Sequence, residues 1–374
     1  MKLPLKISDL VKSVRNYYID DWKQRGKPIV GYVCSYIPRE ILDAAGILPY
    51  RIGARGCNAT PLADTWMAPI TCSFTRCCLE LALRGEYNFL DGLVSMNSCE
   101  CMERMCDNWR HLVDIPFFHF ISVPHKSDED AIQWYVEELL MFKHSLERSF
   151  DVTITNQKLQ NSVQVYNETR RLLRILYDLR KVKAPPISGT EAQNIAVMAN
   201  SMPVEEYNKL LNTLIDEIGN REGIVNDKAR LMIIGSFLDD SRYTELIEEQ
   251  GGLVVADASC FGALSFWNPV RLDGDPIESI ARYYLTRVPC PRMPGKQMAR
   301  RDFIKEMVDG FSVDGIIFER MLYCNLWGGE TMSLEKDLRE LNIPLLILDR
   351  EYTPSGLGQL RTRMQAFLEM ILER

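Results

Sequence analysis

Residues 89–109, FLDGLVSMNSCECMERMCDNW, pass from a short apolar run into a segment with helical spacing, and three thiols, Cys99, Cys101 and Cys106, gather at the change. An apolar run of this length, followed at once by a helix, reads as the strand-to-helix half of a parallel βαβ unit. The same pattern recurs on both sides. Upstream, PIVGYVC (28–34) reads as a buried strand, REILDAAG (39–46) as a helix stopped by Gly46, LPYRIG (48–53) as a strand, and CSFTRCCLELALRG (72–85) as a helix stopped by Gly85. Downstream, PFFHFISV (116–123) is another strand. Strands alternating with helices imply a doubly wound parallel sheet. Residues 28–126 are therefore expected to form a first α/β domain.

Ahead of it, residues 1–27 form a helical segment in which SDLVKSVRNYYIDDWKQR (8–25) has the period of one helix ending at Gly26. Residues 127–227 change character. EDAIQWYVEELLMFKHSLERSF, VQVYNETRRLLRILYDLRK and EEYNKLLNTLIDEI are all helical in period, with one break at Pro185-Pro186 and Ser188-Gly189. This stretch reads as a helical connector. Alternation then returns over 228–374, with strands at LMIIGSF, GLVVADA, VDGIIFERM and IPLLILD, a helix at LEKDLREL, and GQLRTRMQAFLEMILER closing as a helix. The fold class is thus α/β, with two Rossmann-like parallel-sheet domains joined by helices.

Composition excludes several classes of function. The net charge is −7 with no basic stretch, so nucleic acid has no electrostatic footprint to bind. No apolar run approaches the roughly 18 residues of a membrane span, and MKLPLKISDLVKSV lacks the apolar core of a secretory signal. A cytoplasmic chain is expected. There, eleven cysteines would stay reduced. They serve as buried apolar thiols, redox groups or metal ligands, although no paired C-x-x-C knuckle or ferredoxin run marks which. His111, His119 and His125 fall close together without metal-site spacing and read as satisfied core or surface groups. No phosphate loop, dinucleotide glycine turn or serine elbow is present.

Position separates the thiols. Cys72 and Cys99 stand at junctions leading into helices, and Cys324 lies just past a strand of the second domain. All three belong to the carboxyl-end crevice, where open α/β sheets bind ligands, and a helix N-terminus favours the thiolate that binds iron. Cys77, Cys78 and Cys106 lie inside proposed helices and, like Cys34 and Cys57, read as core.

Several stretches, in order and spread over nearly the whole chain, carry a resemblance: GYVCSYIPREILDAAGILPYRI, TCSFTRCCLELALRGEYNFLDGLVSMNSCECMERMCDNW, ADASCFGALSFW, DPIESIARYYLTRVPCPRM, VDGIIFERMLYC and GQLRTRMQAFLE. Together they resemble the superfamily of 2-hydroxyacyl-CoA dehydratase and benzoyl-CoA reductase subunits, and within it the smaller cluster-bearing subunit. The resemblance implies a 4Fe-4S cluster held by Cys72, Cys99 and Cys324, with one iron left open. It implies a homologous larger subunit, an ATP-hydrolysing iron–sulfur activator as electron source, and a CoA thioester whose carbonyl becomes a ketyl radical. The chain departs from the family pattern at Glu100, where Asp is usual, and at Asn325-Leu326, where Asp-Pro is common. Glu100 and Glu319 are candidate proton donors near the crevice, and Arg361 and Arg363 are candidates for the nucleotide phosphates. Two other readings compete. In a double-cubane reductase of the same superfamily, Cys101 with Cys260 or Cys290 would hold extra iron. A metal-free small-molecule-binding protein would also have two α/β domains around a cleft.

Overall fold

The structure is a computed structural model describing residues 7–224 and 228–373. Residues 1–6, on which part of the signal-peptide reading rests, and the expected border at 227 lie outside the described residues. The chain begins with two short helices, α1 (Ile7–Leu10) and α2 (Tyr17–Gln24), where periodicity over 8–25 predicts one. Asn16 breaks it. Its side chain caps α2 by accepting from the N–H groups of Tyr18 and Ile19, while its amide donates to the carbonyl and hydroxyl of Ser201, 185 residues away. A distant partner has overridden the local period.

The first sheet is built from β1 (Ile29–Tyr32), α3 (Arg39–Ala44), β2 (Leu48–Arg51), α4 (Ser73–Leu83), β3 (Gly92–Met96), α5 (Glu100–Leu112) and β4 (Phe117–Ile121). The connector follows as α6 (Glu129–Phe150), α7 (Asn156–Asp178), α8 (Gly189–Met198) and α9 (Val204–Gly219). The second sheet and its helices are β5 (Ala229–Gly235), α10 (Arg242–Glu249), β6 (Gly252–Ala258), α11 (Pro276–Thr286), α12 (Gln297–Phe311), β7 (Gly315–Met321), α13 (Asn325–Glu340), β8 (Leu345–Arg350) and α14 (Leu357–Leu372). All pairings are parallel, and the strand orders are β2-β1-β3-β4 and β6-β5-β7-β8. The α/β class and both parallel sheets are as the sequence predicts. In each sheet the winding reverses between the first and third strands, which puts a ligand crevice at the carboxyl ends of β1/β3 and β5/β7.

Side-chain alternation divides the core. Met232 and Ile234 of β5, with Ile316 and Phe318 of β7, join a continuous cluster that includes Val30, Leu93, Leu139 and Leu172 from the first sheet and the connector. Leu231, Ile233 and Ile317 point the opposite way, onto Leu246 and Ile247 of α10 and Met364 and Phe367 of α14. The connector is no loose tether: α7 packs on α3 and α9, and α6 packs on α11. Among the described residues no helix is long and apolar enough to cross a membrane.

His119 of β4 sits against Phe117 (ring centroids 6.3 Å apart) and Phe142 (5.1 Å), and burial lowers its pKa from 6.5 to about 4. Between those values the unfolded chain binds more protons than the folded one, so stability is lost as pH falls through that window. His119→Phe is expected to remove this component. Urea unfolding between about pH 6.5 and pH 4 should then show a smaller acid-induced loss than the parent, and an equal loss would contradict the assignment.

Candidate functional site

Each of three helices begins directly after a cysteine: Cys72 is the N-cap of α4, Cys99 of α5 and Cys324 of α13. None of the three makes a side-chain cap hydrogen bond. Five other helices have such a cap, with oxygen acceptors from Asn16, Asp128, Thr155, Ser188 and Asp275, while α3, α9, α10, α12 and α14 start without one at Pro38, Pro203, Ser241, Lys296 and Gly356. Replacing such a cap by a residue that cannot accept costs roughly 0.5–2 kcal/mol per helix. At these three helices the uncapped position is held by a thiol, and the three sulfurs converge.

The convergence spans both sheets. Cys72 and Cys99 come from the first, and Cys324 comes from the end of β7 in the second. Burial pushes the Cys72 thiol up to about 12, with Cys324 and Cys101 adding to the rise. Burial also raises Cys99, reinforced by Cys72, Cys324 and Cys101, and it raises Cys324, reinforced by Cys101. The N–H groups of Phe74 and Thr75, of Met102, and of Leu326 and Trp327 face the three sulfurs and pull the other way. Cys72 is buried, while Cys99 and Cys324 keep some solvent contact even though burial dominates their pKa, as expected of thiols facing a crevice. Cys101 is a fourth thiol at this spot, its sulfur 3.8 Å from the Tyr323 carbonyl.

Four contacts hold the crevice together, none with a local sequence signature. Ser73 accepts the Tyr352 N–H at 2.8 Å, and Phe74 stacks on Phe237 with centroids 4.0 Å apart, so the first turn of α4 grips the second sheet. Arg292 donates to Asn97 O (3.1 Å), Asn97 Oδ1 (3.2 Å) and Pro124 O (2.9 Å), clamping the loop that leads to Cys99. Arg287 donates at 2.8 Å to both the carbonyl and the hydroxyl of Ser35, beyond β1. Gly235 ends β5 with φ +138°, and a Cβ there would lie 1.8 Å from Glu319 O, so only glycine fits. Nothing within the ARYYLTRVPCPRM stretch itself signals that two of its arginines hold the crevice.

The remaining candidates fall elsewhere. Glu100 is exposed at the first position of α5. Glu319 is buried and ion-paired with Arg350, on the side of the sheet that faces Ile247 and Leu360 rather than the crevice thiols. Arg361 pairs with Glu249, and Arg363 donates to Ile347 O at 2.7 Å. Cys260 and Cys290 group with Cys34 rather than with Cys101, and Arg51 hydrogen-bonds the Cys260 sulfur at 3.0 Å. Cys77, Cys78 and Cys106 are core residues. His125 faces the Arg292 carbonyl at 2.9 Å. Among the described residues no three His, Cys, Asp or Glu side chains are arranged to hold a single metal ion.

A family model described as 2-hydroxyglutaryl-CoA dehydratase, D-component, matches residues 34–371 and so takes in the first sheet from β2 onward, the whole second sheet and all three N-cap cysteines. The chain belongs to this dehydratase family. Its relatives include the (R)-phenyllactyl-CoA dehydratase beta subunit of Clostridium sporogenes, 25% identical with 97% of each chain covered. A benzoyl-CoA reductase subunit of Thauera aromatica is also 25% identical, with 94% of this chain and 93% of that one covered. The (R)-2-hydroxyglutaryl-CoA dehydratase beta subunit of Acidaminococcus fermentans is 22% identical, with 94% of each covered. One dehydratase and one reductase relative thus stand at equal identity, and all three names are those of subunits. Within this family the chain is an enzyme subunit.

Proposed function

We propose that the chain is the iron–sulfur subunit of a two-chain enzyme acting on a CoA thioester, with one 4Fe-4S cluster held by Cys72, Cys99 and Cys324. The observation that carries this reading is the convergence of three uncapping cysteines from two facing sheets. The donor set suits iron–sulfur chemistry, because thiolates are the soft ligands such clusters take. Each ligand of a cubane binds a different iron, so the sulfurs need not crowd one point as they would for a single ion. Beside Cys99, the buried Ser98 hydroxyl has no partner in the protein and is a donor left over for an acceptor in the crevice.

When bound, such a cluster supplies single electrons and, with three protein ligands, leaves one iron for a small ligand or substrate. The chain's own residues do the rest. Three helix N-termini oppose the negative charge of the thiolates. The Phe74–Phe237 stack closes one wall of the crevice, and Cys101 lies beside the ligands. In this reading Glu100, exposed at the start of α5, passes protons between water and crevice. Glu319 does not, since Arg350 holds it. Electrons come from an ATP-hydrolysing iron–sulfur activator, and the enzyme is completed in the cytoplasm by a larger homologous partner. The thioester carbonyl accepts the electron as a ketyl radical, which either expels a hydroxyl group or leads to ring reduction.

The test is iron and acid-labile sulfide per chain in protein purified without air, co-expressed with a homologous larger subunit. About four of each is expected for one cubane. About eight iron would transfer the chain to the double-cubane reading, and none would leave a metal-free binding role. Turnover of (R)-2-hydroxyacyl-CoA against aromatic acyl-CoA thioesters then separates dehydration from ring reduction.

A further inference from the structure

The two sheets share one strand order, so their crevices compare position by position. Cys99 lies five residues beyond Val94, whose partner on β1 is Tyr32, and Cys324 lies five beyond Glu319, whose partner on β5 is Gly235. The next residue on each first strand is therefore equivalent: Val33 on the Cys99 side and Ser236 on the Cys324 side. Both are buried, at 1% and 3% exposure. One is apolar and the other carries a hydroxyl.

The contacts around that hydroxyl lead to the cysteine. Ser236 Oγ accepts the Met321 N–H at 3.1 Å, and the Met321 carbonyl accepts the Cys324 N–H at 3.1 Å, so serine and cysteine close on the same residue. The Ser236 N–H donates to Glu319 O at 3.1 Å, and Arg350, paired with Glu319, donates to Phe237 O at 2.8 Å. The β5 terminus is thereby fixed, with Gly235 providing the turn. Having accepted from Met321, the hydroxyl still has its own proton to give, and the Cys324 sulfur, held through the same Met321, lies near enough for Ser236 to favour its thiolate.

We infer that Ser236 is a positioning residue that sets the reduction potential of a cluster bound through Cys324, by donating O–H to that ligand's sulfur. The inference rests on the cluster reading above. A hydrogen bond to a ligating thiolate withdraws electron density from the iron and stabilises the reduced, more negative state. At the equivalent first-sheet position Val33 offers no hydroxyl, so this donor belongs to the Cys324 side only.

The experiment is an anaerobic redox titration followed by electron paramagnetic resonance on wild type, Ser236→Ala and Ser236→Thr. Ser236→Ala is expected to keep its iron and shift the midpoint to more negative potential, and Ser236→Thr, which keeps the hydroxyl, should return it to the wild-type value. An unchanged midpoint in an iron-loaded Ser236→Ala protein overturns the inference. If Ser236→Ala does not hold iron, Ser236→Cys, a weaker donor, is compared with Ser236→Thr: a midpoint that follows donor strength supports the role, and equal midpoints overturn it. Wild-type protein without iron overturns the cluster reading itself, an outcome distinct from the other two.

Discussion

Cys99→Ser is expected to strip the protein of its iron while leaving the fold as stable as before, or slightly more so. The two effects have separate causes. Serine is a poor ligand for iron–sulfur clusters but a preferred N-cap, and Cys99 has the extended backbone of a cap residue (φ −152°, ψ 158°) without a cap hydrogen bond. A serine oxygen there can accept from the first turn of α5, a gain of up to about 1 kcal/mol. Cys72→Ser and Cys324→Ser should behave likewise toward iron. Cys77→Ala is the control: it removes a fully buried thiol from the middle of α4, should lower stability by about 1 kcal/mol, and should keep the iron. The measurements are iron per chain and urea unfolding of the metal-free forms. Iron retained by Cys99→Ser would remove that residue from the ligand set. A metal-free Cys99→Ser protein destabilised by several kcal/mol would mark the thiol as ordinary core.

The largest loss of stability is expected at Glu40. Its side chain is fully buried on α3 and accepts from Arg170 of α7 and from the Tyr284 hydroxyl of α11 at 2.7 Å, so one carboxylate ties the first α/β unit to the connector and to α11, which packs on the connector helices α6 and α7. Burial alone would raise its pKa, but Arg170 and Arg39 outweigh it and hold the carboxyl below its ordinary value of 4.5. The charge is therefore native at neutral pH. Glu40→Ala leaves the Arg170 guanidinium buried without its counter-ion, a change that typically costs about 3–5 kcal/mol. Removing both charges in Glu40→Leu/Arg170→Met should cost less than either single change. A double variant as unstable as the sum of the singles would show that the pair does not act as a unit. Because the folded pKa is depressed, this contribution is complete above the unfolded value of 4.5 and is lost only as pH falls below it.

Much of this protein is written locally. Apolar runs such as GLVVADA and the glycines after REILDAA and CCLELALR need only near neighbours to be read, so the alternation of strands and helices, hence two parallel sheets, followed from the chain itself. The junction positions of Cys72, Cys99 and Cys324 followed from the same alternation. What the sequence could not reveal depends on contacts between distant residues. The segment after Cys324 carries Gly328-Gly329 and predicts no helix, yet α13 begins at Asn325 because it packs against the second sheet, Trp327 lying edge-on to Phe318. Asn16 ends one helix and starts another because Ser201 is there to receive its amide. Arg287 and Arg292 look like ordinary charges until the fold delivers Ser35 and Asn97 to them. Glu319 looks like a crevice acid until Arg350, on the neighbouring strand, takes it. The sequence by itself determined the strands, most of the helices and the rim on which the thiols stand. The tertiary structure decided which thiols meet, since Cys101 joins Cys72, Cys99 and Cys324 while Cys260 and Cys290 turn to Cys34. The physical reason is range: periodicity and capping act within a few residues, whereas the meeting of two crevices depends on side chains up to 279 positions apart, as in the Ser73–Tyr352 hydrogen bond.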